Sequence, residues 1–261
     1  MAGRSVLVVA LAIAILGTDL ISRTAEAEAK GRRVVPGPRR PNLPPGWSWP
    51  PARETRETGR QCLRELRELG VRFKRAPRRR MIATPVVVPD MTFGPVVFKP
   101  TYRRPPFVMD CRLARAFAVH AGVLASVGIR ELRFSSIYDF RRVRLHHRVH
   151  RALSRHALGL AVDVFEVVLA TGARLVVRKD YWSSPALMVA ELALRATGDF
   201  RAILSPAVDP ESHGDHLHME VKVEEPERAR HRARSRRTGR VSRRPGAGGS
   251  PPAPRDAAAE E

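Results

Sequence analysis

An α+β domain is predicted by three observations. Short apolar runs are bounded by Pro, Gly and Asp. Longer amphipathic stretches carry helical spacing. The two kinds of segment follow one another without the regular alternation that builds a parallel sheet. The expected architecture is a small antiparallel sheet with flanking helices.

The first helix is expected over residues 61–69, where Cys62, Leu66 and Leu69 share a face and Gly70 ends the run. Residues 86–88 and 96–98 read as short strands separated by Pro89, Asp90 and Gly94. Asp110 supplies a side-chain acceptor for a longer helix through Val127, with Gly128 as its stop and Leu113, Phe117, Val119 and Leu124 among its apolar positions. A strand is expected at 131–138, followed by a dense Arg/His loop, RRVRLHHRVHRALSRH, and an apolar strand at 160–168. Gly172 marks a hairpin before 174–177, residues 184–196 form a helix running to Gly198, and 202–204 and 217–223 are the last strands. There is no internal repeat.

The chain has 261 residues, 43% of them hydrophobic, which is ordinary for a globular protein; 22 prolines and a formal net charge of +21 are not. Much of that excess falls outside the expected core. Residues 1–29 read as a secretory signal, with Arg4 before an apolar run at 6–16 and the small residues Ala25, Ala27 and Ala29 after it. The run is far short of the roughly 20 residues a membrane span requires, so no stable span is expected once the signal is cleaved. Residues 30–59 read as a Pro/Arg-rich spacer, 60–224 as the folded domain, and 225–261 as a disordered basic tail.

Such basicity favours polyanions, although arginine written wherever the surface tolerates it, without selection for a ligand, is the preferred account. An exported location, periplasmic or extracellular, also decides how the two cysteines are read. In an oxidising compartment Cys62 and Cys111 are expected to pair, tying the first helix to the second and contributing about 2–4 kcal/mol; two separate buried thiols are the alternative. Their spacing is not that of a structural zinc site.

The chemistry concentrates in two segments. SRHALGLAVDVF sets His156 and Asp163 seven positions apart at a turn and strand start, and SHGDHLHMEV gathers His213, Asp215, His216 and His218 at the entry to the last strand. His216 and His218 share a strand face by period-2 alternation. Two neutral imidazoles and a carboxylate give a Zn2+ ion three ligands at about 2.0–2.2 Å and leave a fourth position for water, the mark of a catalytic site. Zinc lowers the pKa of that water to about 7, and a nearby carboxylate can accept its proton; Asp215, three residues before His218, is the candidate. His213 reads as a polar loop residue, with an alternative ligand as the other reading. His146, His147 and His150 sit among arginines, where mutual repulsion makes a poor cation site.

The order His-x6-Asp then His-x-His resembles the zinc peptidases of the lysostaphin, D-Ala-D-Ala-peptidase and hedgehog group. Within that group the chain is most similar to the extensin-like C-terminal domain family of bacteria. That family's Ser-Tyr-Ser-Cys-Arg, Ser-Glu-His-Ala and Asp-His-Phe-His segments appear here as Ile137-Tyr138-Asp139-Phe140-Arg141, Ser154-Arg155-His156-Ala157 and Asp215-His216-Leu217-His218, over roughly residues 61–223. The resemblance implies a hedgehog/D-Ala-D-Ala-peptidase-like fold. It also implies one Zn2+ held by His156, Asp163 and His218, with Asp215 as base and Arg141 as the guanidinium for a substrate carboxylate or the oxyanion. His216 is expected either to orient the substrate and stabilise the charged intermediate, or to support the site from behind. Phe140 stands where the family has Cys, so the disulfide of that region is absent, and Arg142 or Arg148 can stand in for Arg141.

The function so implied is hydrolysis, as an endo- or carboxypeptidase, of peptidoglycan peptides or another anionic envelope polymer. Nucleic acid is not the expected partner. The alternatives are a non-catalytic, zinc-stabilised envelope-binding module and a basic polyanion-binding protein.

Overall fold

The computed structural model describes residues 42–145 and 148–223. The signal at 1–29, the first part of the spacer, His146 and His147, and the basic tail lie outside the described residues.

Helix α1 (Arg53–Glu68) starts earlier than the expected residue 61. Two contacts that composition hides explain the difference. Trp47 is buried, its Nε1–H donating to the Met81 carbonyl at 3.0 Å, so the end of the Pro-rich segment packs on the domain. Gly59 lies so close to Thr84 that a Cβ there would meet its Oγ1 at 2.0 Å. Glycine is therefore a contact point of the helix and not its boundary.

Next come β1 (Lys74–Arg75), β2 (Pro85–Val87), β3 (Thr92–Phe93), β4 (Val96–Pro100) and β5 (Val108–Asp110). β1, β2 and β5 form a small antiparallel sheet. Helix α2 (Cys111–Ser126) is capped as expected, with the buried Asp110 carboxylate accepting from Arg112 N at 3.1 Å and also from Thr84 N at 2.9 Å. Cys62 and Cys111 form the expected disulfide between α1 and α2.

Strand β6 (Ile129–Ser136) follows, and the expected Arg/His loop is instead a two-stranded hairpin, β7 (Arg142–Leu145) and β8 (Arg148–Leu153). Val143, Leu145 and Val149 alternate with arginines there, a period-2 pattern overshadowed by the charge. A 3-10 turn (Arg155–Leu158) leads into β9 (Ala161–Leu169), then β10 (Arg174–Val176), α3 (Val177–Asp180), α4 (Pro185–Ala196), β11 (Phe200–Leu204), α5 (Pro210–His213) and β12 (Leu217–Val221).

The main sheet runs β11-β12-β9-β6-β4-β3, with β10 paired to β9. Its pairings are antiparallel except β4 with β6, which are parallel and connected through β5 and α2. The fold is α+β, as the order of elements predicts. Phe93, Phe98 and Phe117 anchor α2 to the β3–β4 edge, their ring centroids 4.5 to 5.6 Å apart. Each such fully buried side chain contributes about 1.5–3 kcal/mol. Among the described residues, no helix is long and apolar enough to cross a membrane.

Candidate metal centre

Sheet register brings two of the three expected ligands together. β12 pairs with β9 so that His218 stands opposite Asp163, and β9 pairs with β6 so that Asp163 stands opposite Ser136. His156 arrives from the 3-10 turn, whose first residue is capped by Ser154; its Oγ accepts from His156 N at 3.3 Å. Gly159 closes that turn at φ +65°, and a Cβ there would meet Asp110 N at 2.7 Å. The Gly159 carbonyl accepts from Asp110 N at 2.9 Å, so the ligand turn is fixed to the start of α2.

His156 Nε2, His218 Nδ1 and Asp163 Oδ1 make a triangle with edges of 3.1, 3.1 and 2.7 Å. All three residues are buried, and the set can hold a metal ion. The groups behind the rings fix the tautomers. His156 Nδ1 lies 3.0 Å from the Ile137 carbonyl, which only accepts, so Nδ1 carries the hydrogen and Nε2 is bare. His218 Nε2 lies 3.1 Å from a Glu220 carboxylate oxygen, so in the neutral ring Nε2 carries the hydrogen and Nδ1 is bare. With both rings neutral, three lone pairs therefore converge on one point, and their repulsion is relieved by a proton shared between His218 and Asp163 or by a cation in its place.

The electrostatics follow this geometry. Burial alone would raise the Asp163 pKa, but the two histidines hold it well below the usual carboxylate range. For His218 burial acts to lower the pKa, while hydrogen bonds to Asp163 and Glu220 outweigh it and raise it to about 9. Glu220 is likewise opposed by burial, yet His218, Arg201 and Arg155 depress it to about 2. Glu220 also binds the Arg201 guanidinium. Beside this pair Arg155 is only 4% exposed, and its Nε and Nη1 have no partner among the described residues.

Of the expected catalytic residues, His216 lies nearest the triangle. Its Nε2 is 3.6 Å from Asp163 Oδ1, and its ring stacks on Phe165 at 4.9 Å. Asp215 is about half exposed, and its Oδ1 lies 2.7 Å from His216 Nδ1. Arg141 sits beside the ligand turn, its carbonyl accepting from Ser154 N at 3.0 Å, but its Nε points to Asp139 Oδ2 at 3.3 Å. His213, expected as a loop residue, ends α5 with Nδ1 3.0 Å from Asp209 Oδ2. Together with His216 and His218 it makes a second group able to hold an ion. Burial, and then its two histidine neighbours, lower its pKa.

Sequence reasoning missed Glu220 and Arg201. The signal for Glu220 was present: His216, His218 and Glu220 continue one period-2 face of β12. Arg201 comes from the neighbouring strand, and nothing in its local sequence marks it.

The family described as Extensin-like protein C-terminus matches residues 60–231, and the chain belongs to that family. No curated protein and no solved structure matches it.

Proposed function

We propose that this member of the extensin-like C-terminus family is an exported zinc peptidase of the lysostaphin, D-Ala-D-Ala-peptidase and hedgehog type, acting on peptidoglycan peptides. The observation that carries the reading is the convergence of His156 Nε2, His218 Nδ1 and ionised Asp163 at 2.7 to 3.1 Å. Donors sharing one tetrahedral ion at about 2.0–2.2 Å lie about 3.3–3.6 Å apart, so an ion entering this triangle would spread its edges, the His218–Asp163 edge most. Two nitrogens and one carboxylate oxygen suit zinc better than the hard cations that prefer oxygen alone.

A zinc ion held there supplies Lewis acidity for a peptide carbonyl and acidifies water. His216 receives and returns the proton at Nε2, which faces the site. Asp215 is the positioning residue, accepting from Nδ1–H at 2.7 Å and so leaving Nε2 bare. This divides the work differently from the sequence reading, in which Asp215 was the base: its carboxylate already holds His216. Arg141, tethered to Asp139 at the edge of the ligand turn, is placed to meet a substrate carboxylate when that tether is released.

The test is metal content by plasma mass spectrometry, followed by muropeptide hydrolysis. Wild type should carry about one equivalent of zinc, lost in His156→Ala and Asp163→Ala. His216→Ala should keep zinc and lose hydrolysis by about 10²- to 10⁴-fold. Folded wild type that takes up no zinc would sink the proposal, and zinc without hydrolysis would leave an envelope-binding module.

A further inference from the structure

The loop that leads into the metal site is also the centre of an unbalanced basic surface. Asp139 N donates to the His156 carbonyl at 3.3 Å, so residues 138–141 lie directly against the ligand turn. Two distant segments meet this loop. Tyr138 Oη donates to the Arg80 carbonyl at 3.2 Å, and the Arg80 guanidinium lies 4.4 Å over the Phe140 ring. Arg103 reaches the same Asp139 carboxylate that Arg141 holds, at 3.9 Å. Residues 78–80, 102–104 and 138–144 therefore form one strip, and the arginines at 78–80, 103–104, 142 and 144 are all exposed on it.

Asp139 is the only acid these segments contribute. The sequence has no Asp or Glu between Val71 and Pro89, between Met91 and Met109, or between Phe140 and Val162. Elsewhere on the body arginines are interleaved with acids, as along α1 (RETRETGRQCLRELRE), and Arg53, Arg115 and Arg174 face the carboxylates of Glu57, Glu65 and Glu166. A general surplus of arginine does not produce that contrast. The excess is concentrated where the chain approaches the site.

We propose that this strip is a docking track for a linear, carboxylate-bearing polymer, which it lays alongside the metal centre. Guanidinium forks take carboxylates in two-point contacts, and a row of them suits repeated carboxylates along a chain. A track for single-stranded nucleic acid instead needs successive aromatic platforms. Here Arg80 already covers the Phe140 face, which leaves Tyr102, 70% exposed, as the open ring. That the polymer is also the substrate rests on the peptidase reading; binding to the track does not.

The experiment is fluorescence anisotropy on the full chain with a labelled twenty-residue oligoglutamate, with and without a zinc chelator, across a salt series. Arg79→Gln/Arg80→Gln and Arg103→Gln/Arg104→Gln should each weaken binding by about fivefold to tenfold at low salt and flatten its salt dependence. Arg236→Gln/Arg237→Gln in the tail should change it little, and the chelator should not matter. Thermal melts of the variants check that surface charge alone was altered. Undiminished binding in both strip variants, or loss only in the tail variant, would overturn the proposal. So would tighter, strip-dependent binding of a labelled oligodeoxythymidylate of equal length. Chelator-insensitive binding by a protein that hydrolyses nothing would retain the track while the peptidase reading failed.

Discussion

Replacing Glu220 tests whether the site is built from behind as well as from its ligands. The carboxylate is buried, accepts from His218 Nε2 at 3.1 Å, binds Arg201 and neighbours the buried Arg155. Glu220→Gln keeps the shape and an acceptor for His218 but removes the charge. Glu220→Leu removes both the charge and the acceptor, so nothing holds the His218 ring from the Nε2 side. Groups that orient metal-binding histidines are worth about 10- to 100-fold in affinity, or about 1.4–2.7 kcal/mol. Glu220→Gln should fall near the lower figure and Glu220→Leu at or beyond the upper one. Breaking a buried pair costs about 3–5 kcal/mol of stability; because Arg201 is about half exposed, about 2–3 kcal/mol is expected. Zinc affinity would be measured by chelator competition and stability by urea unfolding under chelation. Leu194→Ala, in the buried face of α4, serves as an equally destabilised control that should keep wild-type zinc affinity. Unchanged affinity in both Glu220 variants, or equal losses in the control, would refute the reasoning.

Two further outcomes follow from the same geometry. His218 is raised to about 9 in the fold, from about 6.5 when unfolded. Its contribution is therefore complete below pH 6.5 and is lost as the pH rises through 9, by about 3 kcal/mol. Glu220, depressed to about 2, stabilises above about pH 4.5 and fails as the pH falls through 2. Melts under chelation should thus decline from pH 6.5 to 9 while zinc, freed from proton competition, stabilises increasingly; a rising midpoint under chelation would contradict this. Gly159→Ala should cost about 2 kcal/mol or more, from positive φ and the 2.7 Å approach to Asp110 N, and should weaken zinc binding by displacing the His156 turn. Normal zinc affinity in a stable Gly159→Ala protein would detach the turn from the site.

The fold was legible where one pattern acted alone. Asp110 followed by an apolar period of 3.6 residues marks α2, and its observed range, Cys111–Ser126, ends beside the expected Val127. It was illegible where two signals competed. Prolines at 50 and 51 suggested a spacer, yet the cost of exposing Trp47 draws that segment onto the domain and lets α1 begin at Arg53. Arginines suggested a loop at 142–153, although alternating Val and Leu already spelled a hairpin. Position in a motif located His216 and Asp215, but only the 2.7 Å contact between them shows which one faces the triangle.

The two histidines present different nitrogens to the same point, and the reason lies behind each ring. His156 stands on a turn whose inner neighbour is a backbone carbonyl, so Nδ1 is occupied and Nε2 is offered. His218 stands on a strand whose next residue on that face is Glu220, so Nε2 is occupied and Nδ1 is offered. Neither choice is available to the ligand alone; each is imposed by the element that carries it. A one-residue slip of β12 against β9 would turn His218 and Glu220 together to the other face and leave Asp163 opposite an apolar side chain. Register, tautomer and ligand set are thus a single constraint, met only when the last strand closes on β9.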